Sequence, residues 1–88
     1  MTWEQAIAEL KGYLKDYLEA RGIDTRQNFR CLNPHHEDKH PSMGFDKANN
    51  QVHCFSCSAK YDVIDLISLD YNCDFNEALN SGCEMYTA

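Results

Sequence analysis

Apolar side chains recur at helical intervals along the first twenty residues. Trp3, Ile7, Leu10, Leu14, Tyr17 and Leu18 share one stripe, while Glu4, Glu9, Lys11, Lys15 and Glu19 fall mostly on the other side. Thr2 and Gln5 have the spacing of a capping box, and Gly22 stands just past Arg21, with Ile23 placed to pack back. The pattern predicts one helix from Thr2 to Ala20 with its stripe, Trp3 included, against the core; Gly12 is a weak point that permits close packing. Asp24 to Asn28 reads as a polar linker, and Phe29-Arg30 as a short strand. The period then changes. Met43-Gly44-Phe45-Asp46 and Gln51-Val52-His53-Cys54 alternate, with the turn residues Lys47-Ala48-Asn49-Asn50 between them, which predicts a β-hairpin. Ser58 to Tyr61 reads as a turn. Asp62 and Asp65 can cap a second helix whose Val63, Ile64, Leu66, Ile67 and Leu69 make it nearly all apolar and therefore buried. Asn72-Cys73-Asp74 breaks it. Asp74 and Glu77 repeat the box spacing, and Phe75, Ala78 and Leu79 give one face of a short third helix that Gly82 ends; Cys83 to Ala88 shows no clear period.

The hairpin runs directly into Cys54-x2-Cys57, a pair able to bend around one metal and present both sulfurs at the ~2.3 Å that zinc takes. Cys31 lies upstream, followed by His35, His36 and His40, so the segment from 31 to 57 holds three of the five cysteines and all four histidines. Two ligand clusters joined by a loop are the pattern of a closed structural zinc site. Three buried structural cysteines would be a poor alternative, since the segment has too little apolar content to bury them. The fourth ligand is open among His35, His36, His40 and His53. Alternation along the strand points the His53 ring away from the side of Cys54. Glu37 and Asp38 are placed to accept from a ligand imidazole. Three sulfurs with one nitrogen close the shell, which leaves a catalytic zinc no open position, and no catalytic residue is expected.

Composition agrees with a metal staple. A chain of 88 residues makes one small domain (1–88: an N-terminal helix to 22, a zinc hairpin over 29–61, C-terminal helices over 62–82) and is marginal without such support. An odd cysteine count argues against a complete disulfide framework, and Cys73 and Cys83 lie outside any ligand spacing. No apolar run approaches the ~20 residues of a membrane span, and the acidic, amphipathic MTWEQAIAEL is unlike a signal or transit peptide, so no membrane partner and a cytoplasmic location are expected. The net charge of −6 is uneven. From Arg21 to Lys60 six bases face four acids, whereas from Tyr61 onward six acids face no base. The hairpin region is thus mildly basic within an acidic chain.

Cys31, His36-Glu37, Pro41-Ser42-Met43, His53-Cys54-Phe55-x-Cys57 and the apolar helix with Val63 and Ile64 together resemble the Cys-His-Cys-Cys zinc-binding domain at the N-terminus of bacterial-type DNA primases. Tyr61-Asp62-Val63-Ile64-Asp65-Leu66-Ile67 looks most like primases of phages and mobile elements. The resemblance covers roughly residues 29 to 80. It implies an α+β fold, a zinc-ribbon-like antiparallel sheet with an N-terminal helix and C-terminal helices packed on it. It also implies His36 as the histidine ligand, five residues before Pro41, completing Cys31, His36, Cys54 and Cys57 around one structural Zn2+. The first cluster departs from the family's usual Cys-x2-His, Ser58 stands where a glycine is common, and Lys60-Tyr61 replace a glycine-rich turn. The function implied is a non-catalytic module that engages single-stranded DNA template for primer synthesis in replication, the active site lying in a separate primase domain. Arg30, Lys39 and Lys60 would track phosphates, and His53, Phe55 and Tyr61 would stack or pack. The rival reading is a zinc-stabilised interaction module that docks on a primase polymerase domain or a replicative helicase.

Overall fold

A computed structural model describes residues 2–37 and 39–87. Seven elements follow in order: α1 (Trp3–Lys11), α2 (Leu14–Ala20), β1 (Met43–Asp46), β2 (Gln51–Cys54), β3 (Lys60–Tyr61), α3 (Val63–Tyr71) and α4 (Phe75–Tyr86). The strands form one antiparallel sheet in the order β1-β2-β3. This is the expected α+β arrangement, a small sheet with helices before and after it.

The helix expected over Thr2 to Ala20 is two helices. Thr2 caps α1 as anticipated: its Oγ1 accepts from the Gln5 amide at 3.2 Å, and Gln5 Oε1 accepts from the Thr2 amide at 3.0 Å. At Gly12 and Tyr13 the amides turn to carbonyls only three residues back, Gly12 to Glu9 at 3.1 Å and Tyr13 to Leu10 at 3.0 Å. The tightened turn falls where glycine makes the helix weakest. It keeps Leu10, Leu14, Tyr17 and Leu18 all buried and brings Tyr13 onto Tyr86, ring centroids 4.9 Å apart and nearly parallel. Trp3, expected in the core, is 58% exposed. It borders a shallow cleft with Leu79 and Cys83, about two turns before the first fully covered residue of α1, Leu10.

The hairpin forms as the alternation predicts, Met43 opposite Cys54 and Phe45 opposite Val52. Phe29 joins it only as a single bridge, its amide and carbonyl both bonded to Met43. The turn expected at Ser58 to Tyr61 instead yields β3, with Lys60 opposite His53 and Tyr61 opposite Val52. Strand alternation therefore places Met43, Phe45, Val52, Cys54 and Tyr61 on the inner face, and Gly44, His53 and Lys60 in a row across the outer one.

Asp62 and Asp65 exchange both capping hydrogen bonds at the start of α3, and Asn72 ends that helix in the left-handed conformation. At α4 only the forward half of the expected box is formed, Asp74 accepting from the Glu77 amide. Gly82 does not end α4, which continues to Tyr86. Gly82 is buried because α4 crosses α1 and α3 there. A Cβ at this position would lie 2.6 Å from Leu10 Cδ2 and 3.1 Å from Ile67 Cδ1. Polar ties reinforce the packing: Tyr17 donates to Asp70, which also pairs with Arg21 at 3.1 Å, and Lys11 reaches Asp62 at 3.8 Å. One buried cluster results, joining Leu10, Leu14 and Leu18 to Met43, Val52 and Cys54 of the sheet and to Val63, Ile64, Leu66, Ile67 and Leu79.

Candidate metal centre

Asn33 organises the first half of the site. Its Oδ1 accepts from the His35 amide at 2.9 Å, and its carbonyl accepts from the His36 amide at 3.1 Å. This is an Asx-type turn carrying Pro34 at the position proline favours. The turn leaves His35 exposed and swings His36 back beside Cys31. The two additional residues between Cys31 and its histidine, relative to a Cys-x2-His cluster, are accommodated in that turn.

The second half is the knuckle after β2. The Cys54 amide donates to the Ala59 carbonyl and the Ser58 amide to the Cys54 carbonyl, both at 2.9 Å. Ser58 adopts φ +64°, the left-handed region in which glycine is easiest, so the chain turns here at some strain. The Phe55 amide donates to the Ser42 carbonyl at 2.8 Å, which ties the knuckle to the entry of β1.

These two turns bring Cys31, His36, Cys54 and Cys57 together with all four ligand atoms within 4.8 Å of one another. Cys31 Sγ lies 3.6 Å from Cys57 Sγ, and Cys54 Sγ lies 3.7 Å from His36 Nδ1. A tetrahedron with Zn–S near 2.3 Å and Zn–N near 2.0 Å has edges of ~3.8 Å between sulfurs and ~3.5 Å between sulfur and nitrogen. The observed separations fit that metal, and closing the widest pair needs a shift of only about 1 Å.

Donors surround the sulfurs. The Asn33 amide points at Cys31 Sγ at 3.4 Å, Asn33 Nδ2 lies 3.9 Å from Cys57 Sγ, and Ser42 Oγ lies 3.4 Å from Cys54 Sγ. Burial opposes ionisation of Cys54, yet the Ser42 hydroxyl and the amides of Cys57 and Ser56 outweigh it and bring its pKa down to about 6. Burial pushes the Cys31 thiol up to about 12, only partly relieved by the Asn33 amide. A dication among them ionises such thiols outright. Burial first, and then the nearby Cys31 and Cys57 sulfurs, raise Tyr61 as well.

The remaining expected residues divide. His40 is exposed in the loop. His53 lies across the sheet from the sulfurs, its ring against Phe55 with centroids 4.8 Å apart. Lys60, opposite His53, shares that outer face, whereas Tyr61 lies on the inner one. Arg30 and Lys39 are exposed on either side of the first ligand cluster in the sequence. Glu37 is exposed and hydrogen-bonds to no other described residue, and Asp38 lies outside the described residues. Cys73 and Cys83 are free, half-buried and apart from the cluster. Sequence reasoning missed Asn33 and the part Ser42 plays at the sulfur; the Asn-Pro dipeptide was the available signal for the first.

Fold and centre together define a small zinc-ribbon module with a Cys-His-Cys-Cys group. Residues 5–88 match the profile of the CHC2 zinc finger family, the zinc ribbon of DnaG. The chain belongs to that family. Comparison with curated proteins and with solved structures found no match. Among the described residues, no helix is long and apolar enough to cross a membrane.

Proposed function

We propose that the chain is the template-recognition module of a DNA primase, holding one structural zinc through Cys31, His36, Cys54 and Cys57 and meeting single-stranded DNA with the outer face of its sheet. The observation that carries this reading is the convergence of these four ligand atoms within 4.8 Å in a chain of the CHC2 zinc finger family. The module is non-catalytic, because a Cys3His shell leaves zinc no position for water or substrate. Primer synthesis belongs to a separate polymerase domain of a primase working in the cytoplasm, of the type carried by mobile elements.

The outer face supports contact with a strand. His53, half-buried, and Phe55, 68% exposed, form an aromatic pair, and Lys60 stands directly opposite His53. Stacking on aromatics beside a phosphate-tracking cation is the general way single strands are held without base pairing. With about three phosphate contacts, from Arg30, Lys39 and Lys60, affinity should fall with salt at a log–log slope of roughly −2.

The test compares two variants that change net charge equally. Lys60→Gln alters the outer face; Asn80→Asp adds its charge on exposed α4. In a low-salt titration of the zinc-loaded chain, Lys60→Gln should weaken binding about threefold or more while Asn80→Asp changes it little, one phosphate contact being removed. Equal effects would place the strand elsewhere. The second reading, docking on a polymerase domain or helicase, draws on the six acids after Tyr61 and on the exposed Tyr71, Phe75 and Met85. It takes the lead if no single strand binds at low salt.

A further inference from the structure

Beside the aromatic pair, the linker before Phe29 runs along the β1 edge and borders an open hollow of about 420 Å³ lined by Gln27, Asn28, Gly44, His53 and Phe55 among others. Gly44 forms its floor. A Cβ there would lie 3.1 Å from Asn28 Oδ1 and 3.5 Å from Phe55 Cε2, so both side chains lean over bare backbone. The carboxamides of Gln27 and Asn28 hydrogen-bond to no other described residue, which leaves a donor and an acceptor on each available. Arg26 and Asp46 also line it, but each is already engaged, Arg26 with Asp24 through contacts of 3.0 and 3.1 Å and Asp46 as acceptor from the Asn49 amide and Nδ2. The hollow therefore offers an aromatic wall, a flat floor and unpaired amides rather than a concentrated charge. Its volume is in the range of about 300–1,000 Å³ typical of small-molecule sites.

We infer that this hollow takes one unpaired adenine base of the template strand, stacked on Phe55 and His53, with the Asn28 carboxamide reading its edge. The inference rests on the proposed meeting of this face with single-stranded DNA and adds a base preference to it. A carboxamide pairs two-fold with a donor beside an acceptor. On the edge that carries N7, adenine alone sets a donor, N6–H, beside an acceptor; guanine presents two acceptors there, N7 and O6, and a pyrimidine has no such ring nitrogen. The larger purine ring also stacks better on an aromatic wall. Lys60, opposite His53, is placed to take the adjoining phosphate.

The test uses the zinc-loaded chain and fluorescein-labelled pentathymidylate, together with its variants carrying a single central adenine, cytosine or guanine, followed by anisotropy at low salt. The adenine probe should bind about fivefold more tightly than pentathymidylate, the low end for a bidentate amide–adenine pair. Asn28→Ala should erase that preference and leave pentathymidylate binding intact, whereas Phe55→Ala should weaken all four probes by about tenfold, as loss of a stacking partner does. Equal binding of the four probes, a guanine or cytosine preference, or an adenine preference that survives Asn28→Ala overturns the assignment. In those cases the wider reading of the face stands as long as Lys60→Gln still weakens binding. Absence of binding by every probe overturns both.

Discussion

Replacing Asn33 with alanine tests whether the metal centre is built by its turn. The substitution preserves two backbone contacts, the amide at 3.4 Å from Cys31 Sγ and the carbonyl that accepts from the His36 amide at 3.1 Å. It removes the Oδ1 acceptor for the His35 amide and the Nδ2 donor to Cys57 Sγ. The first is a short neutral bond in an exposed turn, worth about 1 kcal/mol net. The second faces a sulfur that is a thiolate when metal is bound, but at 3.9 Å it is long, so about 1 kcal/mol is again appropriate. Both act on the metal-bound state, and their sum of ~2 kcal/mol corresponds to a fall in zinc affinity of about 30-fold. That lies within the 10–100-fold usual for groups that orient metal ligands. Competition against a chromophoric chelator at neutral pH measures it. Asn33→Asp sharpens the test, because it keeps the acceptor, loses the donor and sets a negative charge beside three sulfurs. It should bind zinc more weakly than Asn33→Ala. An alanine variant within threefold of the parent, or an aspartate variant equal to it, would refute the assignment of site construction to this side chain.

Metal analysis of His36→Ala should show lost or greatly weakened zinc, while His35→Ala, whose ring stands in solvent, should retain it; the reverse result would exchange the two ligands. Trp3 is already largely in water, so chelation should move its emission by only a few nanometres even as circular dichroism reports loss of structure. A large red shift would show that Trp3 is covered in solution. Gly82→Ala gains about 1 kcal/mol of helix propensity but forces a methyl to 2.6 Å from Leu10 Cδ2, where overpacking costs typically 1–3 kcal/mol. The zinc-loaded variant should melt several degrees lower, roughly 4–8 °C per kcal/mol for a domain this small; a higher midpoint would mean that Leu10 and Ile67 yield freely.

What the sequence disclosed is local physics. Alternation over 43–46 and 51–54 set both strands and their register, and the Thr2–Gln5 and Asp62–Asp65 spacings marked two helix starts correctly. Two of the misses share one cause, which is that glycine has two meanings. By propensity Gly12 is a tolerated weak point, yet it breaks a helix; Gly82 has the look of a terminator, yet it lies inside one. Propensity cannot distinguish a glycine that ends a helix from one required by another helix crossing it, because the deciding atoms belong to Leu10 and Ile67, far away in the chain. β3 was hidden for a related reason. Lys60 and Tyr61 have no pattern of their own and become a strand only because β2 offers them a free edge. Trp3 satisfied the helical period, but periodicity does not say where the neighbouring helix stops. The four-residue group 31, 36, 54 and 57 was legible by likeness, whereas the reason for His36 over His35 lies in the hydrogen bonds of Asn33.

Cys54 is a metal-facing sulfur and also a fully covered member of the hydrophobic cluster, in the same packed group as Val52, Met43 and Ile64. The supply of zinc and the maturation of the chain are thereby made a single event. A ligand at the surface could be filled late, after the core had set; one embedded among core side chains has to be engaged as the core closes around it. By mass action, each tenfold rise in free zinc above the dissociation constant adds about 1.4 kcal/mol to the folded state. The fraction of chains that are folded is then set by the free zinc they meet as much as by their synthesis, and a chain kept from zinc would remain unfolded and exposed to proteolysis.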